Sequence, residues 1–191
     1  MSKRIALLSA AAFSALAFTA TITAPVSAQE KTVMVGGAAM FPSKNIVQNA
    51  VNSKDHTTLV AAVKAAGLVE TLSGPGPFTV FAPVNAAFEA LPAGTVDNLL
   101  KPDMKDTLTH VLTYHVVAGK LSAADLMEKT MAMGGALNLQ TVSGDTITIQ
   151  QNGDELWVFD ETGKAAKITI ADVNQSNGVI HVIDKVLMMK M

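Results

Sequence analysis

The hydrophobic pattern of this chain changes character at Gly134-Gly135. Ahead of that pair, apolar residues recur at helical spacing: Met104, Leu108 and Val111-Leu112 occupy positions i, i+4, i+7 and i+8, which is typical of an amphipathic helix. Beyond it, short apolar runs alternate with turn residues, which indicates strands. A helical half followed by a strand-rich half predicts an α+β fold and argues against a repeated βαβ unit.

Five strands are predicted in the second half, and their order indicates an antiparallel run. They cover residues 137–142, 146–150, 156–159, 167–173 and 179–188. Asn152-Gly153 is a strong signal for a two-residue hairpin turn, because both residues tolerate a positive φ. The last segment is apolar at most positions from Val179 to Leu187, so it is predicted to be a central strand covered on both faces.

The first half predicts short helices around one apolar strand. The predicted elements are a short helix over residues 45–51, a helix over 55–67, a helical turn over 68–72 and a strand over 78–82. Gly67 is a natural helix stop. Asn85 is predicted to cap the next helix, and Ser122 with Asp125 resembles a capping box. The rest of the segment before residue 55 is predicted to be irregular.

The N-terminus has the pattern of a secretory signal. Lys3 and Arg4 precede an uncharged apolar stretch, Ile5–Ile22, and Val26-Ser27-Ala28 offers the small residues that a signal peptidase requires. The stretch is close to spanning length, so a transmembrane anchor is the alternative. Its Ala, Ser and Thr content and the cleavage site favour a signal peptide over residues 1–28, cut after Ala28, and a secreted or periplasmic protein.

Cleavage would leave an N-terminal segment, residues 29–42, and one domain over residues 43–188, with no later stretch apolar enough to span a membrane. The chain has no cysteine, which excludes disulfides and thiolate chemistry. It has 14 basic and 16 acidic residues, and removing Lys3 and Arg4 makes it more acidic. Nucleic acid is therefore excluded as a partner, as is an anionic membrane that requires a polybasic cluster.

No residue pattern indicates catalysis, a cofactor or a metal. His110 and His115 are five positions apart, whereas a helical zinc pair needs a spacing of four. The chain has no Gly-x-Ser-x-Gly elbow. Acidic residues at positions 154–161 lack the spaced oxygen ligands of a calcium loop and indicate a solvated hairpin end. His115 and His181 are interpreted as neutral, hydrogen-bonded core residues.

Three segments, in order, resemble the fasciclin domain family. Residues 79–88, with the sequence TVFAPVNAAF, resemble its first signature. Tyr114-His115-Val116-Val117 with Gly119 resembles its central tyrosine-histidine motif, and residues 177–187, NGVIHVIDKVL, resemble its C-terminal signature. The resemblance covers residues 43–188. Val84 departs from the pattern, since the family often has threonine there, and this removes a hydroxyl that could form a hydrogen bond.

The resemblance implies a β-sandwich or wedge with several helices packed on it. It also implies a non-catalytic adhesion module that contacts proteins or polysaccharides of the cell surface or matrix. In animal members of the family, receptor contacts have been assigned to regions that match Tyr114, His115, Asp172 and Val173 here, which makes these four the candidate contact residues. A place in the core is the other interpretation of each.

A second functional hypothesis belongs to another class. A hydrolase or a small-ligand-binding protein would use a cleft near His115. A polar cleft with His115 beside a carboxylate or hydroxyl would favour that hypothesis, whereas a buried His115 bonded to the backbone would favour the binding module.

The signal sequence predicts the N-terminus of the mature protein. Mass spectrometry of exported protein is expected to show Gln29 as the first residue, because the small residues of Val26-Ser27-Ala28 fit the peptidase site. An intact chain beginning at Met1 and recovered from the membrane fraction would contradict this prediction.

Overall fold

The computed structural model describes residues 32–190, so the predicted leader and its cleavage site lie outside the described residues. The helices are α1 (Ile46–Ala50), α2 (Thr57–Ala66), α3 (Val69–Ser73), α4 (Asn85–Glu89), α5 (Thr95–Leu99), α6 (Lys105–Tyr114) and α7 (Ala123–Ala132). The strands are β1 (Val33–Val35), β2 (Ala38–Met40), β3 (Phe78–Pro83), β4 (Val116–Ala118), β5 (Ala136–Gln140), β6 (Thr146–Asn152), β7 (Glu155–Phe159), β8 (Ala165–Gln175) and β9 (Gly178–Ile183). No helix within residues 32–190 is long and apolar enough to cross a membrane.

One sheet organises the fold. Seven strands lie in the order β4-β3-β9-β8-β7-β6-β5, and β1 and β2 form a separate hairpin. The two ends of the large sheet approach each other, because the Val142 N–H donates to the Val116 carbonyl at 2.7 Å and Val117 forms a bridge with Thr141. The result is a nearly closed sheet with helices packed on it, which confirms the predicted α+β wedge.

The antiparallel run predicted for the second half is confirmed from β5 to β9. The sequence did not predict that β3 pairs with β9 in parallel, with Phe78 opposite Gly178 and Pro83 opposite Ile183. Gly178 is required at the start of this pair, since a Cβ there would lie 2.1 Å from the Phe78 carbonyl oxygen. The predicted last strand also ends earlier, at Ile183, although Val186 and Leu187 beyond it remain buried.

The central strands separate two apolar clusters because their side chains alternate between the two faces of the sheet. Val80 of β3 and Ile180 of β9 face the first cluster, beneath α1, α2 and α6. Phe81 faces the second, which β5–β8 and α7 enclose. His181 lies opposite Phe81 and stacks on its ring, with the centroids 5.8 Å apart. All six residues of β9 are buried, which confirms the predicted central strand.

The segment before α1 is more regular than predicted. Gly36 and Gly37 both have positive φ, 57° and 76°, and they turn the chain between β1 and β2. A two-residue turn with positive φ at both positions matches the twist of a hairpin, and glycine reaches that conformation without strain. The prediction of an irregular segment was therefore wrong here.

Two helix-capping predictions had different outcomes. The capping box of Ser122 and Asp125 is present at the start of α7. Asn85 does not cap α4, whose N-cap is Val84 with no side-chain bond. Instead its Oδ1 accepts from the Thr58 N–H at 3.0 Å, and its Nδ2 donates to the Lys54 carbonyl at 2.8 Å. Asn85 thus satisfies the first turn of α2, whose own N-cap residue, His56, makes no capping bond from its side chain.

The residue before β9, Asn177, connects two helices to the sheet. Its Oδ1 accepts from the Ile46 N–H at 3.0 Å, and its Nδ2 donates to the Leu72 and Gly74 carbonyls at 2.8 and 2.9 Å. The side chain is buried, so these backbone groups lie where water cannot replace the amide.

Replacing Asn177 with alanine is expected to reduce the free energy of unfolding by about 2–4 kcal/mol, because it leaves buried backbone groups of both α1 and α3 without partners. Urea denaturation followed by circular dichroism measures this. Asn98→Ala is the control, since the Asn98 side chain is exposed and accepts only from the Lys101 ammonium; its effect is expected to stay within about 0.5 kcal/mol. Equal effects of the two variants would contradict the role of Asn177.

Candidate functional site

The first candidate pair, Tyr114 and His115, lies at the end of α6. The amphipathic pattern of α6 turns Leu108, Val111 and Leu112 toward the core. Tyr114 is fully buried; its hydroxyl donates to the Thr146 carbonyl at 3.2 Å and accepts from the Glu161 N–H at 3.1 Å. Burial raises the pKa of Tyr114 to about 12. Tyr114 therefore joins α6 to β6 and to the loop after β7.

His115 is buried in the core and bonded to backbone on both ring nitrogens. Nδ1 lies 2.8 Å from the Val111 carbonyl oxygen, which can only accept, so Nδ1 carries the proton. Nε2 then accepts from the Leu187 N–H at 2.9 Å. Both bonds suit a neutral ring. Burial, only partly offset by the bond to Val111, lowers the pKa of His115 to about 4.

His115 and Asp160 together hold the chain after β9 against the domain. While His115 accepts from Leu187, the Asp160 Oδ2 accepts from the Met188 N–H at 3.0 Å. The other oxygen of Asp160 accepts from the Thr162 and Lys164 N–H groups at 2.9 Å each. Asp160 is 6 % exposed, so the prediction of a solvated hairpin end was wrong for this residue, which organises its own loop.

The second candidate pair, Asp172 and Val173, lies at an irregularity in β8. The register of β8 against β9 shifts between Ile170 and Val173. Asp172 has φ +57°, the only positive φ outside glycine in residues 32–190. Aspartate tolerates this conformation better than most residues. Val173 is buried, whereas Asp172 is half-buried at the surface.

The unusual backbone at Asp172 is fixed by two neighbours. The Asp172 Oδ1 accepts from the Ala123 N–H at 2.8 Å, which places the carboxylate at the N-terminus of α7, where a negative charge is favourable. His181 accepts from the Asp172 N–H through Nδ1 at 3.3 Å and donates from Nε2 to the Leu121 carbonyl at 2.9 Å. Burial lowers the pKa of His181, which keeps this bridging ring neutral.

An open groove of about 780 Å³ lies beside Asp172. Its polar lining comes from Lys120 and Ser122, ahead of α7, and from Asn174 and Gln175 at the end of β8. The aliphatic part comes from Val33, Pro42 and Ala171. Sequence analysis did not identify this site, because its residues come from four separate segments of the chain.

The four candidate residues are not brought together. Tyr114 and His115 bond to Thr146, Val111 and Leu187, whereas Asp172 bonds to Ala123 and lines the groove. Of the four, Asp172 is the one that reaches a surface groove, because the other three are at most 3 % exposed.

The space beside His115 is small and apolar. A cavity of about 40 Å³ is bounded by His115 and by aliphatic side chains of α1, α2 and α3, such as Ile46, Val63 and Leu72. Pockets that bind metabolites are about 300–1,000 Å³ and contain converging polar groups. This cavity has neither property, so the polar cleft required by a hydrolase is not formed at His115.

A second polar cluster joins His110, Asp145 and Ser143. His110 Nε2 lies 2.6 Å from the Asp145 carboxylate, and the Ser143 hydroxyl donates to that same carboxylate at 2.9 Å. A catalytic serine donates to the histidine instead, so this order of residues does not activate a nucleophile. No group of three or more His, Cys, Asp or Glu residues in the described part could hold a metal ion.

Comparisons with known proteins agree with this architecture. The family model of the fasciclin domain matches residues 54–189. Protein sll1483 of Synechocystis sp. is 46% identical over 176 residues, covering 91% of this chain and 89% of the relative. The immunogenic protein MPB70 of Mycobacterium bovis is 38% identical over 144 residues, covering 73% of this chain and 66% of the relative.

The solved structure of a FAS1 domain pair from the insect cell adhesion molecule fasciclin I has the same fold. Its TM-score is 0.68 at 18% sequence identity, with 78% of this chain covered. The chain spans about half of that domain pair, 52% of its length.

The neutral, buried state of His115 predicts a pH-dependent stability. At pH 7.5 the ring is almost entirely neutral in both the folded and the unfolded protein, because its pKa is 6.5 in the unfolded chain and lower in the fold. As the pH falls from 6.5 to about 4, His115 is protonated in the unfolded chain before it is protonated in the folded protein. The contribution of His115 to the free energy of unfolding therefore decreases by about 3 kcal/mol over this range. His56 and His181, whose pKa values are also lowered by burial, add to the fall.

Urea denaturation between pH 7.5 and 4 tests this with His115→Ala and, as an exposed control, Lys164→Ala. His115→Ala is expected to lose about 2–4 kcal/mol at pH 7.5 and to show a shallower decline with pH. Lys164→Ala is expected to follow the unmodified protein. A variant of His115 with unchanged stability would contradict the structural role.

Proposed function

Since the chain belongs to the fasciclin domain family, we propose that it is a non-catalytic binding module that works outside the cytoplasm. Its partners are proteins or polysaccharides of a cell surface or matrix. The sequence of residues 1–28 supports export, and the cell adhesion role of insect fasciclin I, which shares the fold, supports contact with surface molecules.

The observation that carries the proposal is the groove beside Asp172. An open surface lined by an ammonium, a hydroxyl, amides and aliphatic carbons can contact a macromolecule over several points. Asp172 is held by Ala123 and by the neutral His181, so the wall of the groove is fixed before any partner arrives. A rigid surface loses less entropy on binding, which favours affinity.

We propose that Tyr114, His115 and Val173 contribute to binding indirectly, by supporting the surface that contacts the partner. All three are buried, and they hold α6 and β8 in place beneath the surface. Asp172 is the candidate for direct contact, because it lines the groove. The small apolar cavity at His115 gives the alternative, a hydrolase or a small-ligand-binding protein, no comparable support.

The groove predicts which surface substitutions weaken binding. The double variant Lys120→Glu, Asn174→Ala is expected to bind intact cells or cell-wall fragments of the source organism at least about tenfold more weakly, as replacement of central contact residues does. Biolayer interferometry with the immobilised mature protein measures the apparent Kd.

The double variant Lys101→Glu, Asn98→Ala is the matched control. It changes the same two residue types, all four side chains are exposed, and Asn98 and Lys101 lie at α5, outside the groove. It is expected to bind like the unmodified protein. Unchanged binding by the groove variant, or an equal loss in both variants, would place the contact surface elsewhere.

A further inference from the structure

The strands β5, β6 and β7 and the first part of β8 have one face in the core and one face toward solvent. In β7, Leu156 and Val158 point into the second apolar cluster, whereas Trp157 and Phe159 point outward and are half-buried. Trp157 is the only tryptophan of the chain. Trp157 and Phe159 point away from the second apolar cluster, and neither lines the groove at Asp172.

The two outward aromatic rings stand in a row with polar neighbours. They are two positions apart on one strand, which separates them by about 6.8 Å, of the order of the length of one pyranose residue. Gln150 lies directly opposite Trp157, and Thr148 lies opposite Phe159. Asn138 on β5 continues the second row, and its Oδ1 accepts from the Thr148 hydroxyl at 2.8 Å.

Along β5–β7 and the first part of β8, the charged residues are Glu155 and Lys167, whose side chains form an ion pair with each other. Lys185, from the segment after β9, donates to the carbonyl of Ala165, the residue paired with Phe159. The bond from Lys167 lowers the pKa of the Glu155 carboxyl, so the pair stays ionised and neutralised at physiological pH. This face does not favour a strongly charged polymer, and its complement is an uncharged molecule with many hydroxyl groups.

A shallow groove of about 260 Å³ lies at the end of the row, lined by Gln150, Gln151, Asn152, Trp157 and Phe159. Two polar atoms here lack a hydrogen-bond partner, the Gln151 Oε1 and the Trp157 Nε1. Both atoms are buried, so the polar groups of this groove that a ligand can reach are the exposed Gln150 and Asn152 side chains.

We propose that the outer face of β5–β8, centred on Trp157 and Phe159, binds a neutral polysaccharide. The apolar C–H face of a pyranose ring packs on the electron-rich face of an aromatic ring. The Gln150 and Asn138 amides and the Thr148 hydroxyl provide donors and acceptors for the sugar hydroxyls. This proposal rests on the proposed function and assigns it a second surface, because none of these residues lines the groove at Asp172.

Because Trp157 is the only tryptophan, its fluorescence reports directly on this face. Titration with cellohexaose, laminarihexaose, xylohexaose and mannohexaose is expected to change the emission saturably for at least one of them. A heparin hexasaccharide, the charged control, is expected to leave it unchanged. No change with any of the four neutral probes, or tighter binding of heparin, overturns the proposal.

Two variants keep Trp157 as the reporter. Phe159→Ala and Gln150→Ala are expected to raise the apparent Kd at least tenfold, whereas the double variant Lys101→Glu, Asn98→Ala at α5 is expected to leave it within twofold. Gln150 is exposed, so its variant tests the face even if Phe159→Ala fails to fold. Binding that neither variant weakens overturns the proposal.

The same titrations separate failure of this proposal from failure of the proposed function. If no neutral probe binds while the groove variant still weakens cell binding, the polysaccharide face is wrong and the binding module stands. If cell binding is unaffected by the groove variant but is lost in Gln150→Ala, the polysaccharide face is supported and the groove at Asp172 is wrong.

Discussion

The parallel pairing of β3 with β9 is the constraint on which the rest of this domain depends. The pair joins the middle of the helical half to the last strand of the chain's described part, with Phe78 opposite Gly178. The backbones approach so closely there that a Cβ on Gly178 would lie 2.1 Å from the Phe78 oxygen. Asn177, immediately before the strand, then binds the backbones of α1 and α3. The strand pair and the helices around it are therefore fixed together.

The buried histidines serve this arrangement as neutral connectors. His115 accepts from Leu187 beyond β9, and His181 joins the irregular part of β8 to the loop before α7. Burial lowers the pKa of both rings, and a neutral imidazole can donate at one nitrogen and accept at the other. In a polar cleft, histidines would be candidates for catalysis. Here they form hydrogen bonds with backbone groups that are not paired in regular helices or strands.

Because these contacts fill the core, both proposed binding sites lie at the surface. The groove at Asp172 and the outer face of β5–β8 both include residues of β8, yet they differ in chemistry. The groove contains Lys120 and the Asp172 carboxylate, whereas the charges near Trp157 are paired with each other. The two proposed binding surfaces therefore differ in the chemistry of the partner that each would take.

The sequence by itself determined the family and most of the helices and strands, although the hairpin of β1 and β2 was not predicted. The helical spacing of Leu108 and Leu112 and the apolar run at Val179 are local patterns of the sequence. Asn152-Gly153 correctly indicated the hairpin between β6 and β7, but Asn152 pairs with Glu155, so the turn residues are Gly153 and Asp154. Only the tertiary structure decided the rest. The partner of β3, the use of Asn85 to cap α2 and the bridge from His181 to Asp172 join residues distant in sequence, and no local pattern encodes such contacts. Both proposed surfaces also depend on the tertiary structure, because each combines residues from separate segments of the chain.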